Sequence, residues 1–165
     1  MGTILLFASR NKLFLATVFL ITCWCSQRNQ GWMIAILAPA AIIYQLGKLG
    51  FFWKDGLQRK DRFVAIVVIA TSILAVAAAH TYHHETARSA ANKLVADIVN
   101  FSKNYGRYPA DEMELGVTNP LRRRLYRLKY KNFAGEPVLS YSGTFGLFRK
   151  WEYNFSTGAW NYESE

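Results

Sequence analysis

The sequence predicts a chain in two halves: a helical membrane half with three spans, and a small α+β domain in which a long helix packs on an antiparallel sheet of about four strands. Three observations predict this. First, of the 11 acidic residues only Asp55 and Asp61 fall before residue 80, although 52% of the chain is hydrophobic. Second, the uncharged run Phe63 to Ala79 continues without proline or glycine into a polar, periodic segment, His80 to Tyr105. Third, the residues after Leu125 alternate polar and apolar in short runs separated by turn residues, the mark of half-buried strands. The expected boundary lies between residues 79 and 80, giving domains 1–79 and 80–165.

In chain order, the first span is expected near residues 10–25. Its apolar core, Leu13 to Cys25, is only 13 residues long, below the ~17 to 25 that usually cross a hydrocarbon core. It can cross if Ser9 to Lys12 extend the helix and Arg10 and Lys12 snorkel into the headgroups. A cleaved signal peptide fits poorly, because these basic residues follow an apolar start. The second span, residues 31–47, carries Trp32 and Tyr44 near its ends, where amphipathic rings favour the interface. Pro39 in its middle should kink it or be tolerated through neighbouring helices. The third span is residues 63–79.

Charge sets the expected orientation. Residues 1–79 hold eight Lys and Arg against two acids, and five of those cations lie in the loop Lys48 to Arg62. Arg10 and Lys12 precede the apolar core of the first span, and Arg28 alone lies between the first two spans. Basic loops stay on the cytoplasmic side, so the N-terminus and the Lys48 to Arg62 loop are expected in the cytoplasm. Everything after Ala79 is then expected on the far side, the periplasm of a bacterium, with the bacterial inner membrane as the location. Because most of the excess charge flanks apolar segments, the +9 net charge points to the lipid bilayer rather than to nucleic acid. Cys23 and Cys25 lie in the first span and supply neither a disulfide framework nor a complete zinc site.

In the second half, Ala87, Ala91, Leu94, Ile98, Phe101 and Tyr105 recur at spacings of three and four, one stripe of a helix. Arg88, Asn92, Asp97 and Lys103 lie off that stripe. Gly106 is a natural stop, and Tyr108-Pro109 prevents continuation. Strands are expected over Leu125 to Phe133, Val138 to Ser142, Leu147 to Phe155 and Ala159 to Glu163, with turns between. The helix stripe should cover the apolar face of the sheet.

The segment Asn104-Tyr105-Gly106-Arg107-Tyr108-Pro109, closing a helix that begins in an apolar run, resembles type IV pilins and type II secretion pseudopilins. Gly158-Ala159-Trp160 resembles their closing hairpin. The resemblance covers about residues 63–165 and implies a pilin-like fold. Two departures bear on it. Two spans precede the helix that matches the pilin stem. Lys60-Asp61-Arg62-Phe63-Val64-Ala65 also lacks the glycine and glutamate of a processed pilin start. The resemblance therefore implies a type IV pilin accessory protein of the inner membrane, expected to be neither cleaved nor polymerised.

Two clusters carry candidate chemistry. His80 and His84 stand one helical turn apart with Glu85 nearby, a spacing that could hold a metal but lacks the rest of any metal motif. Arg122, Arg123, Arg124, Arg127, Lys129 and Lys131 form the strongest surface feature. The last three are expected on one strand face, opposite the apolar one, placed to dock an acidic partner or anionic headgroups. Tyr126, Tyr130, Tyr141, Trp151, Tyr153 and Trp160 are expected to fill the core. No nucleophile-base set, paired-carboxylate motif or cofactor fingerprint is present, so the expectation is a non-enzyme without a cofactor. The expected partners are pilin subunits or other pilus-machinery proteins, with modulation of pilus assembly or retraction as the function. A periplasmic sensing module and a structural subunit of another envelope complex are the alternatives.

Overall fold

The computed structural model describes residues 7–51, 56–116, 127–133, 135–145 and 149–164. Contacts divide the chain into two units, Met1–Thr81 and Tyr82–Glu165. The helices are α1 (Lys12–Cys25), α2 (Trp32–Phe51) and α3 (Gly56–Tyr105), followed by strands β1 (Lys129–Phe133), β2 (Glu136–Ser142), β3 (Arg149–Asn154) and β4 (Ala159–Ser164).

In the first unit, residues 7–10 are also helical. Asn11 N–H donates to the Phe7 carbonyl at 2.9 Å and Leu15 N–H to the Asn11 carbonyl at 3.0 Å, so helical hydrogen bonding runs on into α1. Among the described residues two helices, α2 and α3, are long and apolar enough to cross a membrane, whereas α1 has 14 residues and falls short by itself. The three expected spans thus become two by length and composition. Much of the apolar surface of the three helices nevertheless faces outward: Leu13, Phe19, Ile36, Ile43, Phe63 and Leu74 are each more than 60% exposed, while Ala38, Ala65, Ile69 and Val76 are buried. A soluble helix hides such a surface on one face. Pro39 lies inside α2 without ending it.

His80, at the end of the apolar stretch of α3, is buried, and its Nε2 lies 2.8 Å from the Cys25 carbonyl oxygen. A carbonyl only accepts, so Nε2 carries the proton in this contact. Cys25 closes α1, and its carbonyl is one of the C-terminal acceptors that a helix leaves unsatisfied. At the other end of the unit, Arg10 pairs with Asp61 at 3.0 Å. Polar contacts therefore fix α3 to the α1 segment near both ends of the apolar stretch.

Helix α3 runs through 50 residues without a break. The physical reason is the absence of proline or glycine between Leu57 and Tyr105, with alanine-rich stretches on both sides of His80. In the second unit its stripe meets the sheet. Ala87 and Ala91 pack with Leu128 and Tyr141, and Leu94 and Ile98 pack with Tyr130 and Leu139. The stripe ends sooner than expected: Phe101 is half-buried and Tyr105 is 67% exposed. Gly106, with φ +68°, adopts the left-handed conformation that closes α3, and its N–H returns to the Ser102 carbonyl.

The sheet is an antiparallel meander in the order β1-β2-β3-β4. The pairs Tyr130↔Leu139, Leu139↔Tyr153 and Tyr153↔Trp160 run across all four strands on the helix side, and Tyr141↔Trp151 and Trp151↔Tyr162 run across β2, β3 and β4 on the same side. Tyr141 meets Trp160 edge-on at 5.1 Å and Tyr153 meets Trp160 at 5.1 Å. Of the aromatics expected in the core, Tyr130 and Tyr141 are buried and Trp151, Tyr153 and Trp160 are half-buried, while Tyr126 lies outside the described residues. Asn92, off the helix stripe, accepts a hydrogen bond from Trp160 Nε1 at 2.8 Å.

Candidate interaction surface

Strand β1 is an edge strand, and an edge presents unpaired backbone groups that other chains can use. Here the loop after α3 occupies part of it. Glu112 is buried, and its Oε1 accepts the Tyr130 backbone N–H at 2.8 Å. The Pro109 carbonyl accepts both the Tyr130 hydroxyl at 2.9 Å and Asn132 Nδ2 at 3.0 Å. Burial pushes the Tyr130 phenol up to about 12, with Tyr108 and Glu114 acting in the same direction. It therefore stays a neutral donor to Pro109 throughout the physiological range. The Gly106 to Pro109 turn is thus bonded directly to the strand that begins the sheet.

The loop is closed on itself as well. Arg107 Nη1 and Nη2 donate to the two carboxylate oxygens of Glu114 at 2.8 and 3.2 Å, and Ala110 N–H donates to Glu114 at 2.9 Å. Asp111 accepts from the Met113 and Glu114 N–H groups. These bonds hold the Glu114 carboxyl below its ordinary value, the Arg107 hydrogen bond being the largest cause and the Ala110 N–H the next. A depressed folded-state value means that the contribution is present at neutral pH and above. It is lost as the pH falls below the usual carboxylate range through the lower folded value. Both side chains are exposed, so the effect is local. Carbon-detected NMR of the Glu114 carboxyl is expected to titrate below the free-glutamate value, and Arg107→Gln to raise it toward the ordinary range, with the Ala110 bond still holding it down.

The sheet face away from α3 is polar. On it Lys129 stands opposite Ser140, Lys131 opposite Val138, and Phe133 opposite Glu136. Lys129 and Lys131 are exposed, and Lys131 Nζ lies 5.7 Å from the Phe133 ring, which is 61% exposed. Across the sheet, Lys150 bridges Glu152 and Glu163, each at 3.3 Å, so its charge is met by two carboxylates. Among the described residues, Lys129 and Lys131 form no ion pair.

Of the basic cluster read from the sequence, Lys129 and Lys131 share the outer face of β1. Arg127 does not join them: it has φ +49° and lies in a turn before the strand, which starts at Lys129 rather than at Leu125. A left-handed residue breaks the two-residue alternation on which the shared face depended. Arg122, Arg123 and Arg124 lie outside the described residues.

The two metal candidates are drawn into different surroundings. His80 contacts the Cys25 carbonyl, whereas the His84 ring lies 5.4 Å from Trp151 and 6.1 Å from Tyr141. Among the described residues, no three of His, Cys, Asp or Glu are grouped to hold a metal ion. Burial pushes the Tyr141 phenol up to about 12, Glu85 adding to the rise and Arg88 opposing it.

The sequence reading missed Glu112 and the Arg107–Glu114 pair. Glu112 carries no local signal, because its partner is 18 residues away. Arg107 and Glu114 flank Pro109, and a loop that must turn at that proline places its ends close together.

No protein-family model, no curated protein and no solved structure matches this chain.

Proposed function

We propose that this chain is a non-enzymatic accessory protein of the bacterial inner membrane that binds pilin subunits or the assembly platform and modulates type IV pilus assembly or retraction. The observation that carries the proposal is the continuity of α3. One helix offers a lipid-compatible apolar stretch and then, without a break, the stripe that bears the sheet. A pilin stem is built in this way, and the Gly106 to Pro109 turn that ends α3 is bonded to β1.

In this reading all three helices cross the membrane. The helical turn at residues 7–10, joined to α1 through the non-helical Asn11, extends the segment to 19 residues, enough to approach the ~30 Å hydrocarbon core with Arg10 and Lys12 in the headgroups. The N-terminus and the basic segment 48–62, which includes the end of α2 and the start of α3, then face the cytoplasm, and the sheet domain the periplasm. Because α3 follows two other helices instead of starting a free chain, it would engage the machinery in the bilayer without leaving as a filament. The outer face of β1, with Lys129 and Lys131, is the docking surface, and Arg122, Arg123, Arg124 and Arg127 are the other basic residues proposed to bind the partner.

Disruption of the gene in its own bacterium is expected to change surface piliation and pilus-dependent motility, with restoration by the intact gene in trans. Normal piliation and motility in the disrupted strain would remove this reading.

A further inference from the structure

The first unit contains a polar cavity that the proposed pilus role does not use. It measures about 250 Å³ and is lined by Asn11, Gln45, Asp61 and Arg62 among apolar walls that include Phe7 and Phe14. That is far more than one water, whose share of liquid volume is ~30 Å³. Gln45 is 95% buried, and its Oε1 accepts a hydrogen bond from Arg62 Nη1 at 3.2 Å. The Arg62 Nε is buried and has no hydrogen-bond partner among the described residues. Asp61, the one carboxylate among the described residues of the lining, is paired with Arg10 at 3.0 Å. Among the described residues, the Arg62 charge therefore has no acid of its own in the lining.

A buried donor without an acceptor is costly, and a guanidinium with one nitrogen engaged still offers a fork suited to a planar or tetrahedral oxyanion. Gln45 lies six residues before the end of α2 and Arg62 six residues after the start of α3. Each is therefore ~9 Å inside a helix end. Lys48, Arg59 and Lys60 stand at those same ends. If these helices cross a bilayer, this depth lies just beneath the phosphate layer, where a headgroup with its acyl chains along the Phe7 and Phe14 walls can enter.

We propose that this cavity is a binding site for a phosphate group, held by Arg62 and oriented by Gln45 and Asn11, with an anionic phospholipid as its source. The site rests on the membrane placement of the helices and not on the pilus role, so either proposal can fail without the other.

The test uses the full chain in neutral detergent, with binding measured by native mass spectrometry. The probes are phosphatidylglycerol, a glucosyl diacylglycerol that lacks phosphate, and inorganic phosphate alone. Phosphatidylglycerol is expected to bind tightest, and Arg62→Gln to weaken it by about tenfold or more, the scale of lost charged hydrogen bonds. Lys60→Gln, an exposed charge outside the cavity, is expected to change it by less than about threefold. Ala65→Phe, which fills the cavity from its wall and leaves Arg62 in place, should weaken it too, and serves if Arg62→Gln does not fold. Inorganic phosphate that binds Arg62-dependently and displaces the lipid would uphold the phosphate site with a soluble source. Equal binding of the two lipids, or phosphatidylglycerol binding unchanged in Arg62→Gln and Ala65→Phe, would overturn it.

Discussion

Leu139→Ala is expected to destabilise the sheet domain by about 2 to 5 kcal/mol, the range for emptying a fully buried leucine site. Leu139 is wholly buried at the centre of β2, between Tyr130 and Tyr153 on the neighbouring strands and beneath Leu94 and Ile98 of α3. Its surroundings are aromatic rings pinned by hydrogen bonds, such as Tyr130 to Pro109 and Trp160 to Asn92. They cannot relax inward without losing those bonds, which favours the upper part of the range. A domain of this size holds only ~0.05 to 0.15 kcal/mol per residue, so the substitution removes a large fraction of its stability. Val138→Ala, one residue away and half-buried on the opposite face, should cost less than about 1.5 kcal/mol. Thermal melts followed by near-ultraviolet circular dichroism of Trp151 and Trp160 distinguish the two. Equal losses would mean that α3 does not cover the face on which Leu139 lies.

The second large effect is expected at the proposed docking surface. Lys129→Glu combined with Lys131→Glu reverses two exposed charges on the outer face of β1 that form no ion pair among the described residues. Charges facing a partner of opposite sign govern the encounter rate and the rejection of wrong partners. Affinity for the captured partner should therefore fall by about ten- to a hundredfold, mainly through association rate, and lose much of its dependence on salt. Stability should move by less than about 1 kcal/mol, because neither side chain is buried. Lys150→Glu, at a position already enclosed by Glu152 and Glu163, is the useful contrast, since it disturbs an internal charge balance instead of removing a free one. Surface plasmon resonance at two ionic strengths separates the outcomes, and an unchanged association rate in the double variant would take β1 out of the interface.

Much of this architecture was legible because its signals are local. The unbroken α3 follows from the absence of proline and glycine in the run after Leu57, and the four strands follow from alternation and turn residues such as Gly135 and Gly158, both with positive φ. Boundaries were less legible where a single backbone conformation decides them. Arg127, with φ +49°, ends a pattern that the side chains alone continue. The loss of the stripe at Tyr105 has a similar origin: the periodicity persists to the end of α3, but the buried contacts stop at Ile98, so the last turns have little sheet to cover.

The candidate surface was legible only in part. Charge alternation finds Lys129 and Lys131, but it cannot find Glu112, whose role depends on a contact made by the folded loop. The cavity beside Arg62 left one trace in the sequence, the single glutamine within the apolar run of α2. Its meaning emerges only when α3 brings Arg62 to within 3.2 Å of it. The histidines illustrate the reverse: their spacing suggests a pair, yet His80 and His84 take different partners.

The most direct measurement of the central claim is crosslinking in native membranes from a photoreactive residue placed at Lys129, followed by purification of the full chain and mass-spectrometric identification of what it has captured. A major pilin or a component of the pilus assembly platform, captured from Lys129 and lost when Lys131 is reversed to glutamate, is the predicted result. Capture of envelope proteins unrelated to pili, with no pilin or platform component under any condition, would contradict the account.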